Sequence, residues 1–225
     1  MKIKHFKWWM LGLVGCLLFG YFTCIYFSSC EICENRKHLS YDNEFQKEMH
    51  NLLYNYFIGL GISHGTFALF IDNNGLYHLR FGDSNLSDLN ILKGMPLIEL
   101  DISCTKVIDL TPLSRFKTLR ELGLIRTKVS DLSPIQNLPL DILLIGGTDV
   151  RDLSPITNMP LRVLHIVDTV ITNLDVIFQT DINYLDFDLN DFSKEQIEKL
   201  RNSKIEIFNG YKHERFWREY DEGLW

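Results

Sequence analysis

The segment "LRELGLIRTKVSDLSPIQNLPLDILLIGGTDVRDLSPITNMP", residues 119–160, contains two successive copies of one phrase. The phrase returns every 21 or 22 residues between positions 76 and 190, and its copies begin at Leu76, Leu97, Leu119, Leu140, Leu161 and Ile182. Apolar residues stand at fixed offsets in each copy. Such a period is typical of a solenoid, in which each repeat adds one coil and no repeat is stable alone.

Each copy has the pattern L-x-x-L-x-L-x-x-T, as in "LIELDISCT" from residue 97 and "LRVLHIVDT" from residue 161. The leucines predict a short strand of a parallel sheet with these side chains inward and the intervening side chains on the other face. The Thr hydroxyl is expected to bond backbone groups at the turn. A return segment such as "KVSDLSPI" follows; its Pro favours short turns and 3₁₀ helices over long helices. Its recurring aspartates, which are Asp88, Asp109, Asp131 and Asp152, are expected to cap these turns.

The D-L-S-P return and the leucine spacing resemble those of bacterial leucine-rich repeats, as in internalins and short planctomycete-type repeat proteins. The resemblance covers about half of the chain, residues 76–190. It implies an α/β fold: a right-handed leucine-rich-repeat solenoid with a parallel concave β-sheet and a convex side of 3₁₀ helices and turns. It does not specify a ligand.

Caps are predicted at both ends of the six or so repeats. Residues 42–75 are expected to form an N-terminal cap of one helix and one strand, with Phe45, Met49, Leu52, Leu53 and Tyr56 at helical spacing. Residues 191–225 are expected to form a C-terminal cap. Its features are a capping box at Ser193 and Gln196, a helix, a strand in "KIEIF", and an aromatic tail packed through Phe216 and Trp217. These caps would cover the open ends of the apolar core.

Residues 1–29 contain a predicted signal anchor. The 20 residues 8–27, "WWMLGLVGCLLFGYFTCIYF", carry no formal charge, and a helix of that length spans a bilayer core. Three lysines precede the span, which favours a cytoplasmic N-terminus and extracytoplasmic repeats with one crossing. Two alternatives stay open: a lipoprotein lipidated at Cys16, since "LVGC" resembles a lipobox, and an ordinary cleaved signal. All three place the repeats outside the cytoplasm.

Residues 30–41 form a predicted juxtamembrane linker with the C-x-x-C pair Cys30 and Cys33. Redox pairs of this kind normally start a helix in a thioredoxin-like fold, and a zinc ribbon needs two such pairs. Neither context is evident here. A local disulfide is the preferred interpretation, with an intermolecular zinc or disulfide link and a thiol activity as alternatives.

Composition and motifs exclude several classes of function. The formal net charge of −6 argues against nucleic-acid binding. No protease, Walker A, esterase or kinase motif occurs, so no enzymatic activity, small-molecule substrate, cofactor or metal is predicted. His165 and Asp186 would be neighbours on adjacent strands, but no nucleophile accompanies them, and a surface pair is the preferred interpretation.

The remaining candidate is the sheet face whose side chains point away from the core, named the concave face below. Its centre is apolar and acidic residues border it, which is typical of a protein contact. The sequence therefore predicts a protein- or peptide-binding module. The alternatives are a structural cell-envelope solenoid without a specific ligand, coverage of the face by the N- or C-terminal segment of the chain, and self-association through the face. The predicted contact residues are Glu121, Ile125, Ile142, Leu144, Val163, His165, Val167, Tyr184 and Asp186.

Overall fold

A computed structural model describes residues 44–63, 66–82 and 84–224. In these ranges nine strands form one sheet in chain order. The strands are β1 (Phe67–Ile71), β2 (Tyr77–Phe81), β3 (Leu97–Asp101), β4 (Glu121–Gly123), β5 (Ile142–Leu144), β6 (Val163–His165), β7 (Tyr184–Asp186), β8 (Ile207–Phe208) and β9 (Tyr211–Lys212). Strands β2 to β8 are parallel, and an antiparallel strand closes each end. The predicted α/β class and mostly parallel sheet are confirmed.

The repeated leucines form the core because successive coils stack in register. Leu100, Leu122, Leu143, Leu164 and Leu185 pair along neighbouring strands, and each is at most 1% exposed. The valines and leucines of the return segments fill the other side of the same core, with Val107, Val129, Val150, Ile171, Leu110, Leu132, Leu153 and Leu174 all buried. The inward positions predicted from the period are therefore confirmed.

Short 3₁₀ helices form the return side, as the prolines predict. Three of them carry the Pro at the first or second position: Thr111–Arg115, Ser133–Ile135 and Ser154–Ile156. The others are Leu89–Leu92, Ile177–Gln179 and Leu189–Asp191. The aspartate that precedes the turn in four coils accepts a hydrogen bond from the backbone N–H two residues later, as Asp131 does from Ser133 at 2.8 Å. The predicted capping role of these aspartates is confirmed.

The turn after each strand has a feature that the sequence pattern did not reveal. The residue before the Thr adopts the left-handed conformation in four successive coils, with φ between 57° and 67° at Cys104, Arg126, Gly147 and Asp168. Only one of these residues is glycine. The Thr hydroxyl that follows donates to the carbonyl three residues earlier in its own coil, as Thr148 does to Ile145 at 2.6 Å. Cys104 is half-buried at this turn.

Helix α1 (Glu44–Gly59) forms the N-terminal cap, and Asp72 to Gly75 turn the chain from β1 into β2. The buried face of α1 differs from the prediction. Leu52 and Tyr56 are 65% and 45% exposed, whereas Phe57 is buried and packs edge-on against Phe67 and Phe81. Leu53, which was also predicted for this face, does pack against the core. Periodicity alone therefore placed the centre of the buried face about a quarter turn away from its position in the structure.

Helix α2 (Lys194–Arg201) starts with the predicted capping box, in which Ser193 and Gln196 exchange hydrogen bonds. The predicted last strand is shorter than expected and consists of β8 alone. The aromatic tail contains β9 and a helix that the sequence analysis missed, α3 (His213–Asp221). Phe216 is fully buried against Phe187 and Phe208, and Trp217 packs edge-on against Phe208. The tail thus covers the end of the core, as expected.

The predictions for the anchor, the possible lipidation of Cys16 and the Cys30–Cys33 pair lie outside the described residues. Within residues 44–224, apart from the gaps at 64–65 and 83, none of the helices combines the length and apolar character that crossing a bilayer requires.

Candidate functional site

Strand register places seven of the nine predicted contact residues on the concave face. Glu121, Ile142, Val163 and Tyr184 are successive partners along one row across β4 to β7. A second row contains Leu144, His165 and Asp186 on β5 to β7. Ile125 and Val167 lie in the turns after β4 and β6, two residues beyond this row. Backbone hydrogen bonds between adjacent coils continue to their carbonyls, which places them at the edge of the same face.

The apolar centre of this face consists of Ile125, Ile142, Leu144, Val163 and Val167. Its side chains are less exposed than predicted. Ile142 is only 9% exposed and the other four are half-buried, because side chains on strands about 4.8 Å apart shield one another. The exposed patch expected from the sequence is therefore a half-buried one that presents side-chain tips to solvent.

A second correction concerns His165 and Asp186, which were expected to be surface residues. They are neighbours, with 3.3 Å between His165 Nδ1 and Asp186 Oδ2, but their side chains are only 8% and 7% exposed. Tyr184 lies beside this pair. Burial raises the pKa of the Tyr184 phenol, and the charge of Asp186 and a hydrogen bond to it raise the pKa further. The phenol therefore stays protonated and able to donate.

Gly146 provides the space that His165 occupies. A Cβ at Gly146 would lie 2.5 Å from His165 Nε2 and 2.9 Å from the carbonyl oxygen of Val167. A glycine on β4 provides space in the same way for Asp101, whose Oδ1 would lie 2.5 Å from a Cβ at Gly123. Two glycines thus let polar side chains lie flat against the sheet on either side of Leu144.

We expect Gly146→Ala to lower the free energy of unfolding by about 1–3 kcal/mol, because the imidazole and a backbone carbonyl must both move. Gly123→Ala is the matched control. There the obstacle is a short carboxylate side chain, which moves at the loss of one hydrogen bond from Ser103 N–H, worth about 1 kcal/mol. Urea unfolding of both variants measures the difference. Equal losses in the two variants would contradict this account of Gly146.

The N-terminal end of the face contains an ion-pair cluster that sequence reasoning missed. His78 Nδ1 lies 2.8 Å from Glu99 Oε2, and Arg80 Nε donates to Glu99 Oε1. Burial alone would raise the pKa of Glu99, but the hydrogen bond from His78 and the charge of Arg80 outweigh it and lower the pKa to about 2. The hydrogen bond to Glu99 raises the pKa of His78. The strand register indicates part of this cluster, because His78 lies opposite Glu99, whereas Arg80 lies opposite Asp101 and reaches Glu99 diagonally.

The contribution of this cluster to stability should be largest in mildly acidic solution. The lowered pKa of Glu99 stabilises the fold above its ordinary value of 4.5, and that contribution disappears as the pH falls toward 2. The raised pKa of His78 stabilises the fold below 6.5, and that contribution disappears as the pH rises through the higher folded value. The cluster therefore contributes most between about pH 4.5 and 6.5.

We expect the stability difference between the parent and Glu99→Gln to be largest in this window. Between about pH 5.5 and 2, the parent should lose on the order of 3 kcal/mol relative to the variant. Urea unfolding at a series of pH values tests this prediction. A difference that does not change with pH would show that the cluster does not titrate as described.

Carboxylates border the apolar centre on both sides. Asp101, two strands before Leu144, accepts a hydrogen bond from Ser103 N–H, and Asp188, beyond β7, accepts one from Asp168 N–H. None of the ion pairs among the described residues contains Asp101, Asp168 or Asp188. Burial and the charges of Asp188 and Asp168 raise the pKa of nearby Asp191. The electrostatic potential at this border is therefore negative.

No group of three or more His, Cys, Asp or Glu side chains in the described ranges is arranged to hold a metal ion. The concave face presents the tips of apolar side chains at its centre and carboxylates at its borders, which are groups suited to noncovalent contact with a partner.

The chain is similar to solved structures. The crystal structure of internalin C2 from Listeria monocytogenes is similar over 57% of this chain and 68% of that chain, with 24% sequence identity and a TM-score of 0.48. No protein-family model matches the chain, and no curated protein matches it.

Proposed function

We propose that this chain is a membrane-anchored, extracytoplasmic leucine-rich-repeat protein that binds another protein or peptide through its concave face. The observation that carries the proposal is the apolar centre on β4 to β6, bordered by carboxylates on a sheet face. An apolar surface with a polar border is typical of protein contacts, since its burial releases water while the border stays solvated.

The position of the cap elements supports this assignment. Helix α1 packs against β1, and α3 packs against β8 and β9, so both helices contact the end strands of the sheet. Phe216 of α3 packs against Phe187 and Phe208, at the end of the core. The aromatic tail, a terminal segment that could have covered the concave face, thus packs against the end of the core.

The cellular location is inferred from sequence. The 20 uncharged residues 8–27 and the three lysines before them support a single crossing with the repeats outside the cytoplasm, and lipidation at Cys16 is the alternative anchor. The structural-envelope and thiol-active hypotheses remain as alternatives. A glycan-holding surface would favour an aromatic ladder, and the concave face has only Tyr184 among its predicted contact residues.

Site-specific crosslinking tests the proposed binding surface. A photoreactive residue replaces Val163 at the apolar centre or, as the matched control, Ile108, an apolar residue that is 62% exposed on the return side. In native membranes Val163 should give one discrete adduct that Leu144→Glu removes, whereas Ile108 should give none of it. Equal adducts at both positions, or an adduct at Val163 that survives Leu144→Glu, would refute the concave face as the site.

A further inference from the structure

Some charged side chains of the concave face have oppositely charged partners within the described part of the chain, whereas the carboxylates at its borders do not. This difference indicates the chemistry of the partner. Basic side chains on the strands of the face already have carboxylate partners: Arg80 and His78 contact Glu99, and His165 contacts Asp186. The carboxylates that border the apolar centre have a different environment. Asp101 and Asp188 accept backbone N–H groups, which are dipoles and do not cancel a full charge. Arg80 is the strand partner of Asp101, but its ion pair is with Glu99.

We propose that the partner presents a short extended segment with apolar side chains at its centre and Lys or Arg on both sides. This inference rests on the proposed function, since it names the ligand of the same face. The apolar centre accepts the central side chains, and the two acidic borders pair with the flanking cations. A partner with acidic flanks would place like charges together, which costs several kcal/mol.

The strand spacing also sets the distance between the two cations. Asp101 on β3 and Asp188 beyond β7 are separated by four strand intervals, about 19 Å at roughly 4.8 Å each. An extended chain that crosses the strands rises about 3.3 Å per residue, so this distance corresponds to about six residues. The segment is therefore expected to carry basic residues about six positions apart, with Leu, Ile, Val or aromatic residues between them.

Several carboxylates lie close together at the C-terminal border of the concave face. Asp188 Oδ2 lies 2.7 Å from Asp168 N, and Asp168 brings its own carboxylate to the same turn. Two basic side chains near the face have carboxylates of their own, because Arg162 pairs with Asp141 and Lys128 lies 3.8 Å from Asp149. A cation supplied by the partner would reduce carboxylate repulsion that this chain leaves in place.

A displayed library of random peptides about twelve residues long is a suitable probe, because it exceeds the roughly six-residue span. The library is selected on the purified full-length chain alone, and the enriched peptides are then tested for binding to the parent and to Leu144→Glu. Enriched peptides should contain an apolar run with Lys or Arg on both sides. The double variant Asp101→Asn, Asp188→Asn should bind them about tenfold more weakly, and the parent's affinity should fall as salt is added. The asparagines keep an acceptor for the backbone N–H groups, and thermal unfolding verifies the fold.

The outcomes separate this inference from the proposed function. Peptides that bind at the apolar centre with uncharged or acidic flanks, or that bind the Asn double variant as tightly as the parent, would overturn the basic-flank inference and leave the proposed function in place. Peptides that bind Leu144→Glu as well as the parent would overturn both, because the site would lie elsewhere. A selection that enriches no sequence would also overturn both.

Discussion

Leu143→Ala should lower the free energy of unfolding by about 2–5 kcal/mol, the largest stability effect that we expect. Leu143 is fully buried, and its neighbours in the row, Leu122 and Leu164, come from the adjacent coils. The lost methyl groups leave a cavity that the rigid stack of coils cannot close, because each coil is held in register by its neighbours. Thermal or urea unfolding gives the magnitude.

Leu144→Ala is the matched control for this prediction. The two leucines are adjacent on β5, but Leu144 is half-buried on the concave face, so its truncation leaves no enclosed cavity. We expect its cost in stability to be clearly smaller. If Leu144→Ala destabilised the chain more than Leu143→Ala, the assignment of the core and concave faces of β5 would be wrong.

Leu144→Glu should weaken binding of the partner crosslinked at Val163 at least about a hundredfold, the largest functional effect that we expect. The substitution places a charge in the apolar centre, and desolvation of that charge against the partner costs several kcal/mol. The fold should survive, because the inward neighbours Leu143 and Ile145 remain unchanged and fully buried. Titration calorimetry with the recovered partner measures the loss.

Asp101→Lys provides a second comparison at the border of the face. Asp101 is half-buried beside Gly123, away from the apolar centre. A charge at such a border acts mainly on the association rate and on the dependence of binding on salt. A larger loss of affinity from Asp101→Lys than from Leu144→Glu would show that charge pairing, rather than apolar contact, provides most of the binding free energy.

The core of the repeats was predictable because it depends on a local rule that recurs. One period of 21 or 22 residues fixes which leucines point inward, and the structure buries Leu100, Leu122 and Leu143 accordingly. The prolines and aspartates of the return side act within two or three residues of themselves, so their 3₁₀ helices and turn bonds also followed from sequence.

The features that the sequence analysis missed depend on contacts between coils. His165 is buried because Gly146 in the preceding coil has no side chain, and the pattern of one strand does not show that space. The face of α1 that is buried depends on where Phe67 and Phe81 lie, and these belong to β1 and β2. The spacing of apolar residues predicts where each helix and strand lies. The neighbouring coils and strands determine which face of α1 and which side chains of the concave face are buried.

Equilibrium binding of the crosslinked partner to the parent, Leu144→Glu and Ile108→Glu, each with its thermal unfolding curve, tests the central claim most directly. Ile108 is exposed on the return side, so Ile108→Glu adds the same charge away from the concave face. We predict that all three proteins unfold at similar temperatures and that only Leu144→Glu loses binding. A folded Leu144→Glu that binds like the parent would contradict the assignment of the concave face as the binding site.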